Sequence, residues 1–320
     1  MSTPPPSIEF DTELALILPN IPIPKNLTVE MLPAVREASA KAATADTLTQ
    51  GKPIAHREVT IPGPEGPITL SIFERTTESA KSGRPGIFHI HGGGRILGHR
   101  FSGVATILQW VVDHDAVCVS IEYRLAPDSP GMVAVDECYR GLQWMADSTD
   151  KLGIDPQKLM IAGQSTSGGL AAGVALAARD RNGPQLCAQL LMCPQINDRN
   201  NTVSSRQFLD RGIWNAKDNA LGWECALGTS TGSDEISPYL APARAADLSC
   251  LPPAYIDVGS AEVFRDEDVH YALKLWESGV QAELHVWPGG FHVFEQMAPN
   301  SELGRRVIAA RNAWVQRVLG

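Results

Sequence analysis

Hydrophobic positions along the chain follow two regimes. Residues 56–61 and 68–74 alternate apolar and polar side chains, the period of a strand with one wet face. Pro62-Gly63-Pro64-Glu65-Gly66 lies between them and predicts a hairpin turn. Further on, short apolar runs appear without alternation, at 87–90, 116–121, 159–162, 188–192, 254–258 and 282–287. Helical patterns separate them. Strands apolar on both faces and joined by helices predict an α/β architecture: a mostly parallel central sheet with helices on both faces.

Two stretches break this rhythm. Residues 1 to about 50 are proline-rich and then helical, with 28–36 patterned as an amphipathic helix capped at Thr28. Residues 196 to about 240 hold helical patterns with Trp214 and Trp223, and no strand. Together they are expected to form a helical cap over the C-terminal ends of the strands, where α/β folds bind ligands. Residues 1–320 read as one domain carrying that cap, with no internal repeat.

Composition narrows the role. Apolar residues make up 43% and charged residues 20% of the chain, enough for a large core and against disorder. The net charge is −9 with no basic stripe, which argues against nucleic acid as a partner. No run approaches the roughly 20 apolar residues of a membrane span, and the start lacks a secretory pattern. Cys118, Cys138, Cys187, Cys193, Cys225 and Cys250 show neither a CxxC pair nor metal-ligand spacing. They read as reduced thiols of a cytoplasmic protein.

The chemistry concentrates in three places. The strand pattern at 159–162 runs into Gly163-Gln164-Ser165-Thr166-Ser167-Gly168-Gly169 and a helix of small residues. A serine on a sharp strand-to-helix turn is the setting of a nucleophile elbow, with a helix N-terminus favouring negative charge beneath it. Ser165 is the candidate nucleophile and Ser167, which occupies the last glycine position of GxSxG, the weaker one. The segment has neither the GK[ST] ending of a phosphate loop nor GxGxxG. After the strand pattern that ends at His91 come Gly92-Gly93-Gly94, glycines that leave backbone N–H groups exposed. Gly93 and Gly94, with Thr166 after the nucleophile, are the candidate oxyanion-hole donors. His91 is expected to orient this loop.

In this arrangement an acid and then a histidine follow the serine. Of the later histidines, His270 falls in a helical run and His285 within a strand pattern. His292 lies in the loop Gly289-Gly290-Phe291-His292 after the last strand pattern and is the candidate base. Glu262 is the first acid after the preceding strand pattern, and it is the candidate orienting group. Asp266 and Glu267 are expected at the start of a solvated helix.

These motifs together resemble the hormone-sensitive-lipase-like, HGGG-motif carboxylesterases of the α/β-hydrolase superfamily. The likeness runs from about His56 to the end. It includes Glu122-Tyr123-Arg124-Leu125-Ala126-Pro127, the Asp266-Glu267 pair and the Gly-Phe-His near the C-terminus. It implies the α/β-hydrolase fold, a cap of N-terminal and inserted helices, and hydrolysis of acyl esters. It also implies no cofactor and no metal, and homodimers are frequent in the family. Gln164, Thr166 and Ser167 stand where that family usually has Asp, Ala and Gly, and Glu262 where Asp is commoner. Gly131-Met132-Val133 replaces the expected Phe-Pro-Ala, and Arg95 follows the glycines where an apolar residue is common.

The expected activity is a serine carboxylesterase acting on small esters of short to medium acyl chain through an acyl-enzyme. A specialised hydrolase of a natural-product ester or lactone is the alternative. A small-molecule receptor on the same fold comes last, because receptors of this kind lose the histidine that this chain keeps as His292.

Overall fold

The computed structural model describes residues 5–22, 24, 26–77, 80 and 82–320. Residues 1–4 of the proline-rich start lie outside the described residues. Eight strands form one sheet: β1 Ile54–Gly63, β2 Gly66–Arg75, β3 Arg84–Ile90, β4 Val117–Glu122, β5 Ile154–Gln164, β6 Ala188–Met192, β7 Ala254–Gly259 and β8 Ala282–Trp287. Their spatial order is β1-β2-β4-β3-β5-β6-β7-β8. β1 and β2 form the expected hairpin, with Gly63 opposite Gly66 across Pro64-Glu65. β2 joins β4 antiparallel, and every pairing from β4 through β3 to β8 is parallel.

Both faces of the central strands are buried, which is why their sequences do not alternate. Phe88, Ile90, Val119, Leu159 and Ile161 point into one core, with Leu142 and Met145 of the helix Val133–Asp147 and Leu170 of the helix Thr166–Asp180. Ile87, Cys118, Met160 and Ala162 point into the other, against Ile107 and Val111 of the helix Val104–His114 and Trp314 of the helix Glu302–Leu319. The helix Thr166–Asp180 lies deepest and is buried from Thr166 through Ala178. Its small residues permit this: a Cβ on Gly169 would stand 1.9 Å from the Gln195 carbonyl oxygen. Larger side chains there would drive helix and sheet apart and strand the serine above them.

The N-terminal segment departs from the sequence pattern in one respect. The α-helix begins at Leu32, not at Thr28, with Pro33 in its first turn and a 3₁₀ turn Val29–Met31 before it. Proline suits the first turn because its missing N–H is not needed there. Thr28 makes no capping bond. This helix is tied to the glycine loop, as Arg36 donates to the Ile96 and Ala126 carbonyls at 2.8 and 2.6 Å. The insertion after β6 carries the helices Val203–Gln207 and Ala216–Leu227. Asp218 in the second accepts the Leu27 N–H at 3.1 Å, so the insertion and the N-terminal segment meet. No helix among the described residues is long and apolar enough to cross a membrane.

Candidate active site

The serine turn owes its shape to backbone geometry. Ser165 holds φ 63° and ψ −129° between β5 and the helix Thr166–Asp180, a region that L-residues avoid unless the surroundings hold them there. Its neighbours supply that restraint. The Ser165 N–H donates to the Met192 carbonyl at 2.8 Å, and its own carbonyl accepts from Gly168 and Gln195 at 2.9 and 3.0 Å. A Cβ on Gly163 would lie 2.2 Å from the Ser167 carbonyl, so glycine is required beneath the turn. Ser167 is fully buried and braces the same turn. Its hydroxyl donates to the Gln164 carbonyl at 2.7 Å and accepts the Gln164 N–H at 2.8 Å. That leaves Ser165 as the hydroxyl free to face the cavity.

His292 and Glu262 come to this serine from the ends of β8 and β7. His292 Nε2 lies 2.9 Å from Ser165 Oγ, and His292 Nδ1 lies 2.6 Å from Glu262 Oε2. Glu262 Oε1 accepts the Gly259 N–H at 2.8 Å, which fixes the carboxylate. The two loops approach closely because Gly259 has no side chain: a Cβ there would stand 2.0 Å from the Gly290 carbonyl. The Ala261 N–H then donates to that carbonyl at 3.0 Å. All three side chains are buried. Burial pushes the Glu262 carboxyl upward, while His292 and the Gly259 N–H pull it back toward the charged form. Phe264 packs edge-on to His292 with ring centres 5.0 Å apart, which limits the imidazole's freedom.

Above the serine lie the glycines. The N–H groups of Gly93, Gly94 and Thr166 have no acceptor among the described residues. Gly94 holds φ +65°, and a Cβ there would fall 2.1 Å from the Trp214 ring. His91 does not reach Ser165. It is buried, stacks on Tyr123 with centres 4.2 Å apart, and lies 3.0 Å from the Gly92 carbonyl. Tyr123 Oη donates to the His91 carbonyl at 2.8 Å, so the Tyr-Arg-Leu-Ala-Pro segment clamps the glycine loop. Arg95 turns away from the serine. Its guanidinium donates to the Leu240 carbonyl at 2.8 Å, lies 4.5 Å over the Trp223 ring, and is pushed down to about 10 by burial.

Of the other sequence candidates, His270 is exposed and lies 2.6 Å from the Asp266 carbonyl, while His285 stacks on Trp287 in β8. Neither approaches Ser165. Asp266 and Glu267 open the helix Arg265–Glu277 as expected, but that turn is not solvated. Glu267 is 4% exposed and accepts the Ile196 and Asn197 N–H groups, so it anchors the start of the insertion. Burial pushes its carboxyl up to about 8.

Several partnerships near the serine escape sequence reasoning. Gln164 hydrogen-bonds to Glu295 and Gln296. Arg311 bridges Glu295 at 2.7 Å and Asp257 at 2.7 and 2.9 Å. Burial alone would raise the Glu295 carboxyl, yet Arg311 holds it below the usual range. This buried chain ties the serine turn to the segment that follows His292. Thr166 starts a second chain: its hydroxyl donates to Gln195 at 2.8 Å, and Gln195 donates to Asn219 of the insertion at 2.5 Å. The signal available in sequence is polarity, Gln and Thr where an apolar or small residue would serve packing alone. Cys193, Glu262 and His292 offer atoms within 4.8 Å of one another, the one such group among the described residues. Two of its three members are already bonded to each other.

A cavity of about 350 Å³ opens over Ser165 and His292. Leu27 and Val35 from the N-terminal segment, Trp214 from the insertion, the three glycines, Met297 and His89 line it. A sheet that presents a buried serine, histidine and carboxylate in one hydrogen-bonded line, below free N–H groups, belongs to the α/β-hydrolase class. The comparisons agree. The sequence model of the alpha/beta hydrolase fold family matches residues 87–296. The chain belongs to this family, in its hormone-sensitive-lipase-like branch. It is 33% identical over 228 residues to esterase LipI of Mycobacterium tuberculosis, covering 71% of each chain. It is 28% identical over 295 residues to carboxylesterase NlhH of the same species, covering 91% of this chain and 90% of the other. Among solved structures it resembles a bacterial heroin esterase with TM-score 0.90 and 31% identity, over 97% of this chain and 98% of that one. The protein is a carboxylic ester hydrolase.

Proposed function

We propose that Ser165 is the nucleophile, His292 the general base and acid, and Glu262 the group that orients and supports His292. The carrying observation is the unbroken line from Ser165 Oγ through His292 to Glu262, at 2.9 and 2.6 Å. His292 takes the Ser165 proton on Nε2 as Oγ attacks the ester carbonyl carbon. The carbonyl oxygen becomes an oxyanion held by the Gly93, Gly94 and Thr166 N–H groups. The carbon–alkoxide bond breaks, and the alcohol leaves with the proton from His292. Water then attacks the acyl-enzyme by the same route, releasing the acid and restoring Ser165.

The cavity supports small substrates, since about 350 Å³ lies at the low end of ligand pockets. Esters of short to medium acyl chain fit that space. The N-terminal segment and the insertion serve as its cap, within a single domain. The unusual elbow residues support the same chemistry, because the Ser167 hydroxyl is bonded within the turn and the Thr166 hydroxyl to Gln195, so neither competes with Ser165. Six free cysteines, four of them buried, favour a reducing compartment, so we place the protein in the cytoplasm. The test is Ser165→Ala: hydrolysis of p-nitrophenyl butyrate should fall by several orders of magnitude with the fold intact by circular dichroism. Turnover within tenfold of the parent would remove Ser165 from the mechanism.

A further inference from the structure

The cavity holds a second histidine, which the proposed mechanism leaves idle. His89, next to last in β3, lines the cavity and is 2% exposed. Its Nδ1 lies 2.8 Å from Ser120 Oγ, and that hydroxyl donates to the Arg100 carbonyl at 2.6 Å. A hydroxyl has one hydrogen, and a carbonyl only accepts. Ser120 therefore accepts from His89, and the ring proton sits on Nδ1. Burial, with His91 adding to it, pushes the imidazole down to about 3, so the ring is neutral at ordinary pH.

Nε2 is then a bare lone pair. It has no partner among the described residues, and it is not sealed within the core. It faces Gly103, another residue of the cavity lining, where an added Cβ would lie 3.9 Å from Nε2 and 3.8 Å from the Gln296 amide nitrogen. The absence of a side chain at Gly103 keeps this corner open. An acceptor taken out of water costs free energy until something donates to it.

We propose that His89 selects esters carrying a hydroxyl or N–H donor that reaches Nε2 while the ester carbonyl stands at Ser165. The inference rests on the esterase reading above and narrows its substrate class. One neutral hydrogen bond gives a discrimination of about threefold to tenfold.

Two ester pairs in which CH₃ replaces OH test it, one on each arm of the ester. They are the p-nitrophenyl esters of ω-hydroxyhexanoic and heptanoic acid, and the monoacetate of butane-1,4-diol against pentyl acetate. The quantity read is the ratio of kcat/KM, hydroxyl over methyl. In at least one pair His89→Phe should lower this ratio about threefold to tenfold, and His89→Asn should restore part of it. His89→Leu should lower the same ratio, which covers the case of an unfolded His89→Phe. Ratios that agree within twofold among the parent and all folded variants, in both pairs, would overturn the proposal. No hydrolysis of any of the four esters by the parent protein would overturn the esterase reading itself.

Discussion

Replacing Glu262 by Gln asks how much of the proposed chemistry depends on one proton's position. Glu262 accepts twice, from the Gly259 N–H at 2.8 Å and from His292 Nδ1 at 2.6 Å. An amide of the same shape has one oxygen. If that oxygen stays on the Gly259 N–H, the NH₂ group faces Nδ1 and forces the imidazole proton onto Nε2. Nε2 then points a hydrogen at Ser165 Oγ and cannot take the serine's proton. If the amide turns over, NH₂ meets the Gly259 N–H inside a buried site, and an unsatisfied pair there costs about 1–3 kcal/mol. The first arrangement removes the base, and the second keeps the tautomer only at that cost and without the carboxylate charge that supports the imidazolium. A wrong tautomer at the corresponding carboxylate of a serine protease costs about 10⁴ in kcat, or about 5.5 kcal/mol of barrier. We expect a similar loss here, with KM little changed because Glu262 lies behind His292 and away from the cavity. The assay is steady-state hydrolysis of p-nitrophenyl butyrate, with titration of the reactive serine to correct for inactive protein. A Glu262→Gln enzyme that keeps a tenth or more of the parent kcat would refute the orienting role.

The remaining predictions concern the supports of the site. Gly94→Ala should lower kcat about 10²- to 10³-fold, because the new methyl meets the Trp214 ring and displaces an oxyanion donor; an unchanged kcat would remove Gly94 from the hole. Thr166→Val keeps the backbone N–H but leaves buried Gln195 Oε1 without its donor, so urea unfolding should show a loss of about 1–3 kcal/mol. Glu267 is raised to about 8 in the fold from an ordinary 4.5, so the native state binds the extra proton between those values. Stability should therefore fall as pH rises from about 4.5 to 8. Glu267→Gln keeps the acceptor oxygen that both the Ile196 and Asn197 N–H groups use, so it should raise Tm at pH 8.5 more than at pH 5; equal shifts at both pH values would contradict the assignment.

Much of this architecture is legible in local pattern. Apolar runs give the central strands because both faces of the sheet are covered, and the glycine loop and serine turn announce themselves by residues that backbone geometry requires. The family and the α/β-hydrolase fold follow from those same residues. Local pattern fails where partners are remote in sequence. Glu267 looks solvated because its bonding partners, Ile196 and Asn197, lie about 70 residues earlier. The link from Gln164 to Glu295 spans 131 positions, and the polarity of Gln164 does not say which residue it meets. The N-terminal helix is tied down by Arg36 at the Ile96 and Ala126 carbonyls, contacts that periodicity cannot register. His89 is hidden for another reason. In a buried strand it reads as one more packed residue, and only the cavity beside Gly103 gives its lone pair a role.

The central claim is that Ser165 is an activated nucleophile, and covalent labelling tests it most directly. The folded protein is treated with a fluorophosphonate serine-hydrolase probe, weighed intact, and mapped by peptide mass spectrometry. The account predicts one adduct, on Ser165, which disappears in His292→Ala while Ser167 stays unlabelled. An adduct on Ser167, or no adduct on folded protein, would contradict it.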